Sequence, residues 1–208
     1  MKTIPEYTSR LFPVYEGMHI LEFGNKRSKA GLYRDEYLAN GAASYTSVDI
    51  NGQDGAIPVD LRRDDAAHII QEMSGRQHFD LITNIGTSEH VTEQRPFWQA
   101  VHLLSVPGTY HAHWVPQAEK RLDHAVAGSC WHPYPGFFQR LAADNGYDIE
   151  LLELTPPELP KKLRSYIDLI LVRYKVAKEQ GFVWDPICDS LFWKNTDYKE
   201  EDWNYNDY

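Results

Sequence analysis

The chain has 208 residues, of which 42% are hydrophobic, 25% charged and 13% aromatic. That length suits one domain with a modest extension, and that composition excludes disorder over most of it. A formal net charge of −9 argues against duplex nucleic acid as a partner, because an acidic surface repels a phosphate backbone. The best local basic cluster, Lys161, Lys162 and Arg164, is too small to reverse that. Cys130 and Cys188 form no metal or redox spacing, which suits a reduced compartment. No apolar run reaches membrane-span length, and the first ten residues lack the apolar stretch of a signal peptide. The expectation is a cytoplasmic protein with no membrane partner.

Short apolar runs alternate with helix-like segments, the rhythm of a mostly parallel α/β sheet with covering helices. The first run is Met18 to Phe23, ended by Gly24. A helix is expected from about Ala30 to Ala39, stopped by Asn40-Gly41, and then a strand from Tyr45 to Ile50. A short run, Ala56 to Asp60, precedes a helix from Asp65 to Met73. His78 to Asn84 is the clearest strand, and Thr92 to Leu104 reads as a helix before Pro107-Gly108. Thr109 to Val115 is the fifth strand. A small-residue loop, Glu119 to Cys130, reads as a lid, or as a short helix over Ala118 to Val126. Tyr134 to Asn145 is a helix closed by Gly146, and Tyr147 to Leu154 and Tyr166 to Tyr174 complete about seven strands.

Ligands of open α/β sheets sit at the carboxyl ends of the strands, so the residues just past each strand are informative. Glu22-Phe-Gly24 ends the first strand, and Gly24 allows a tight turn with close backbone approach. Asp49 ends the second, where a carboxylate can accept hydrogen bonds from both hydroxyls of a ribose. The plain alternative is a turn residue in Asp-Ile-Asn-Gly. Asp60-Leu61 follows the third run, where a carboxylate can receive an adenine amino group and an apolar side chain can stack on the ring. The alternative there is a helix cap.

Ile20-Leu-Glu-Phe-Gly24, Ser47-Val-Asp49 and Pro58-Val-Asp-Leu61 resemble three successive motifs of the class I S-adenosylmethionine-dependent methyltransferases. The segment Phe79 to Val91 resembles the fourth. The likeness spans most of residues 15 to 175. It implies a Rossmann-like sheet of seven mostly parallel strands, helices on both faces and the last strand antiparallel. It implies S-adenosylmethionine as cofactor, held by Glu22, Gly24, Asp49, Ile50, Asp60, Leu61 and Asn84. Lys26 and Ser28 stand where the family usually places its second and third glycines. The same departure removes the G-x-G-x-x-G turn of a dinucleotide site, although Asp49 would suit an NAD ribose.

Methyl transfer is an in-line displacement that needs alignment, exclusion of water and sometimes a base. His90, His113 and His132 are the candidate bases; the plain reading is packing for His113 and His132, and for His90 the resemblance implies support of the cofactor pocket or of the helix start. Glu89-His90 supplies only two ligands, too few for a metal site, and no metal is expected. The acceptor implied is a small or medium-sized polar molecule methylated at oxygen or nitrogen. A cofactor-binding or cofactor-degrading protein on the same fold is the alternative. From Phe182 onward the chain holds seven acidic residues against two lysines, and three of its six tryptophans. Residues 181–208 are therefore expected to form an extension to the 1–180 domain, packed on it or on the second chain of a homodimer.

Overall fold

The computed structural model describes residues 15–25, 32–118, 131–154 and 169–194. Its elements in chain order begin with β1 (His19–Phe23), α1 (Leu32–Ala39), β2 (Ser44–Asp49), β3 (Ile57–Pro58), α2 (Ala66–Ser74) and β4 (Leu81–Ile85). There follow α3 (Gln94–Leu103), β5 (Tyr110–Pro116), β6 (Trp131–Pro133), α4 (Pro135–Asn145) and β7 (Tyr147–Leu154). The last are β8 (Leu169–Val176), α5 (Ile187–Ser190) and β9 (Phe192–Lys194). The residues of the expected lid, 119–130, and the basic cluster lie outside the described residues.

Seven strands form one sheet in the order β3-β2-β1-β4-β5-β8-β7. β1 to β5 pair in parallel, while β8 runs antiparallel to both β5 and β7. This is the expected architecture: of the sheet's seven strands the one latest in the chain, β8, is the reversed one, inserted between β5 and β7. The chain lays β1, β2 and β3 outward in one direction, then returns to place β4 on the other side of β1. That reversal opens a crevice above the carboxyl ends of β1 and β4, where such folds hold ligands.

Strand alternation sends side chains to two cores. Leu21, Phe23, Val48, Ile82, Val115 and Val172 pack with α2, α3 and α4. Ile20, Leu81, Ile85, Ala112, Trp114 and Leu171 pack with Tyr37 of α1 on the other face. The central strands are buried on both sides, which explains why they read as continuous apolar runs. Trp98 is the largest fully buried side chain, with ring centroids 4.9 to 5.9 Å from Phe97, His113, Phe137 and Phe138. α4 starts with Pro135 in its first turn and stops at Gly146, whose φ of 68° supplies the left-handed cap.

Residues 182–194 lie against α4. The Asn145 amide accepts from Val183 N–H at 2.8 Å and donates to Val183 C=O at 3.0 Å. Arg140 reaches Asp185 at 2.6 Å, and the Phe192 ring centroid stands 4.3 Å from that of Phe137. β9 pairs antiparallel with β6, His132 opposite Trp193. No helix among the described residues is long and apolar enough to cross a membrane.

Candidate functional site

Three turns meet above the sheet. Gly24, with φ of 87°, turns the chain out of β1, and its N–H donates to Val48 C=O at 2.8 Å. Asn25 N–H then donates to one oxygen of Asp49 at 2.9 Å, and Asn51 N–H to the other at 3.1 Å. Among the described residues each Asp49 oxygen thus accepts one N–H. A carboxylate oxygen has two lone-pair sites, so each keeps one for an incoming donor. Ile50, next in the chain, is 37% exposed, an apolar side chain beside that carboxylate. The remainder of the loop, residues 26–31, lies outside the described residues.

Asp60 is engaged differently. Its Oδ1 accepts from the backbone N–H and Nε of Arg62, and its Oδ2 from Nε and Nη2, at 2.7 to 3.0 Å. These hydrogen bonds hold the Asp60 carboxyl below its ordinary range. An adenine amino group would compete with Arg62 for this acceptor. Leu61 is buried with Ile57 and Val59 in the core beneath.

Glu22 is buried on the opposite face of β1, where Tyr45 Oη donates to its Oε2 at 3.0 Å. Burial and that neighbouring carboxylate push the Tyr45 hydroxyl upward. Asn84 is also fully buried. Its Nδ2 donates to Ser88 Oγ at 2.9 Å, and its Oδ1 accepts from Ser88 N–H at 3.0 Å. The Asn84 side chain therefore shapes the turn after β4 from below.

The three candidate bases separate. His113 is 0% exposed and enclosed by Trp98, Phe138 and Tyr174. Desolvation lowers its pKa to about 3. Its place is the core between the sheet, α3 and α4, alongside His111, whose Nε2 meets Ser105 Oγ at 2.7 Å. His90 and His132 lie instead at or beside the turn after β4, His132 itself buried. His90 ends a single 3-10 turn, Ser88–His90, with its side chain 18% exposed and Nε2 3.9 Å from Glu89 Oε1. His132 lies on β6, which contacts that turn and the end of β5. Burial, and then the nearby His90, lower His132 to about 4. β6 is pinned by Trp131 Nε1 donating to Thr92 C=O at 2.8 Å and Ala118 N–H to Pro133 C=O at 2.9 Å. Among the described residues no group of three or more His, Cys, Asp or Glu is placed to hold a metal ion.

Sequence reasoning did not single out Arg62, Thr87, Tyr45 or β9. Arg62 was legible as the i+2 partner of an Asx turn. The others depend on pairings across strands that one sequence does not display.

No family model matches this chain, and no curated protein matches it. Solved structures do. An S-adenosylmethionine-dependent methyltransferase from Mesorhizobium loti superposes with a TM-score of 0.57 at 17% identity, over 82% of this chain and 96% of that one. The 1,6-didemethyltoxoflavin-N1-methyltransferase of Burkholderia thailandensis, solved with 1,6-didemethyltoxoflavin and S-adenosylhomocysteine, gives 0.55 at 11%, over 83% and 76%. The [4+2]-cyclase SpnF gives 0.59 at 11%, over 85% and 80%. With its strand order, its reversed β8 and these neighbours, the chain has the Rossmann-like fold of the class I S-adenosylmethionine-dependent methyltransferases.

Proposed function

We propose that this protein binds S-adenosylmethionine and transfers its methyl group to an oxygen or nitrogen of a small or medium-sized polar acceptor in the cytoplasm. The observation that carries the reading is the Asp49 carboxylate. It ends β2, the strand beside β1 at the switch in strand order, fixed by two backbone N–H groups, and among the described residues one acceptor site is left on each oxygen. Two adjacent ribose hydroxyls match that pair of sites.

Asp49 would hold the ribose and Ile50 would cover one face of the adenine. Asp60 would take the adenine amino group in place of Arg62, above the buried Leu61. Gly24 turns the chain out of β1 toward the methionine portion, with Glu22 buried beneath that strand end, and Asn84 shapes the neighbouring turn after β4. Bound S-adenosylmethionine supplies an electrophilic methyl group on a sulfonium. On the acceptor side, His132 is neutral at physiological pH and so accepts a hydrogen bond from an acceptor O–H or N–H. His90, the more exposed imidazole, takes the proton if one must leave. His113, enclosed in the core, has no role in this reading.

Calorimetry with S-adenosylhomocysteine tests this. Asp49→Ala removes two hydrogen bonds to a charged acceptor, each worth about 1.5–3 kcal/mol. Affinity is expected to fall by about 100-fold or more. Unchanged affinity would refute the assignment, and tight NADH binding in a fluorescence titration would favour a dehydrogenase. A second reading is a cofactor-binding protein that transfers no methyl group. The fold likeness to a protein named as a [4+2]-cyclase supports it, as do Lys26 and Ser28 in place of glycines. Cofactor binding with no methylated product across a broad acceptor panel would select that reading.

A further inference from the structure

The turn after β4 carries a residue to which neither the sequence motifs nor the site assignments give a role. Thr87 follows Gly86 and reaches across to β1. Its Oγ1 donates to Phe23 C=O at 2.7 Å. The N–H of the same peptide unit, that of Gly24, donates to Val48 C=O on β2 at 2.8 Å. The Phe23–Gly24 peptide plane is thus gripped from both sides, its carbonyl by β4's turn and its N–H by β2. A Cβ on Gly24 would collide with Thr87 Oγ1. Position 24 is glycine for two reasons: its φ is positive, and the Thr87 hydroxyl occupies the space a side chain would need.

The orientation of that plane matters to the next residue. Asn25 N–H, one peptide further on, is a donor to Asp49. If the Phe23–Gly24 plane rotates, Asn25 N–H leaves the carboxylate. Asp49 then loses one of the two bonds that aim it. Thr87 also acts toward the acceptor side. Its own carbonyl accepts from His90 N–H at 2.9 Å, closing the 3-10 turn that presents Glu89 and His90.

We propose that Thr87 is a positioning residue. Its hydroxyl locks the turn after β1, holds the Asp49 carboxylate in its ligand-accepting orientation, and so sets cofactor affinity without touching the cofactor. The proposal rests on the reading of Asp49 as the ribose acceptor.

Thr87→Val keeps the shape and removes the hydroxyl, and Thr87→Ser keeps the hydroxyl and removes the methyl. S-adenosylhomocysteine is the probe, titrated by calorimetry into the full chain, with Tm recorded for each protein. The expected result is a Kd about tenfold higher for Thr87→Val and within about twofold of wild type for Thr87→Ser, from loss and retention of one hydrogen bond. Loss of that bond should lower the Tm of Thr87→Val by only a few degrees, so a tenfold rise in Kd measured well below both Tm values reports lost aim of Asp49 rather than unfolding. If Thr87→Val does not fold, Thr87→Ala set against Thr87→Ser makes the same comparison. Wild-type binding with an unchanged Kd in Thr87→Val overturns the Thr87 proposal alone. Equal weakening by Ser and Val also overturns it. A wild-type protein that binds no S-adenosylhomocysteine overturns the pocket reading, and the Thr87 proposal with it.

Discussion

Replacing His113 by Phe should make the protein less sensitive to acid. In the folded chain His113 is enclosed by aromatic rings and its pKa is lowered to about 3. In the unfolded chain an imidazole titrates near 6.5, so below that pH the unfolded state binds a proton that the folded state refuses. The stability associated with neutral His113 is complete above about pH 6.5 and drains away as pH falls toward 3. Each pH unit in that window costs about 1.4 kcal/mol, so His113 alone accounts for about 2 kcal/mol between pH 6.5 and pH 5. His132, lowered to about 4, adds a similar loss over the same interval. His111, held well below its ordinary value by burial and by His113, contributes in the same direction. Asp60, lowered by its hydrogen bonds to Arg62, loses its contribution only as pH falls through the ordinary carboxylate range, below the pH 7 to 5 interval. A Phe at position 113 is larger than the imidazole and gives up the contact with Asn84 Nδ2, while Asn84 keeps its bond to Ser88, so stability at pH 7 should fall by about 1–3 kcal/mol. Urea denaturation at pH 7, 6 and 5, with the slope m checked for constancy, measures both effects. The variant should retain about 2 kcal/mol at pH 5 that the wild type loses. If both proteins lose the same stability between pH 7 and 5, solvent reaches His113 and the enclosed placement is wrong.

Four further outcomes are expected. Gly24→Ala should destabilise by about 1–2 kcal/mol from its left-handed backbone alone, with more from the contact with Thr87. The added loss should shrink in the double variant with Thr87→Ala, as a thermal-melt double-mutant cycle would show. Tyr45→Phe withdraws the hydroxyl donating to buried Glu22 and should cost about 1.5–3 kcal/mol in urea unfolding. Arg62→Ala frees Oδ2 of Asp60, leaves Oδ1 only the backbone N–H of position 62, and should tighten S-adenosylhomocysteine binding by a few fold in calorimetry, whereas weaker binding would make Arg62 part of the site. Asn145→Leu strands the N–H and C=O of Val183 and should loosen residues 182–194, seen as faster proteolysis there and a loss of about 2–4 kcal/mol in urea.

The strand-end residues were legible because their signal is local. An apolar run buried on both faces must stop at a polar turn, and Glu22-Phe-Gly24, Asp49 and Asp60-Leu61 mark those stops in chain order. The helices read from periodicity lie within a few residues of α1, α2, α3 and α4, and the Tyr147–Leu154 strand matches β7 at both ends. Trp131-His132-Pro133 reads as loop in the sequence, yet it is β6, because its partner is β9, some sixty residues away in the chain. Alternation along β5 put His111 and His113 on one face, but not which face. The packing of α3 and α4 against that face turned both imidazoles inward.

What the sequence determined by itself is the succession of strands and helices and the carboxylates that end the strands, since both follow from local hydrophobic pattern and turn chemistry. Tertiary structure alone decided how those carboxylates are used. Asp49 and Asp60 look alike in the chain. Among the described residues Asp49 is held by backbone donors from two turns with an acceptor site left on each oxygen, while Asp60 is closed by its own Arg62. The pairing of Thr87 with Gly24 belongs to the same class of fact: it exists only because parallel pairing of β1 with β4 brings the two turns side by side.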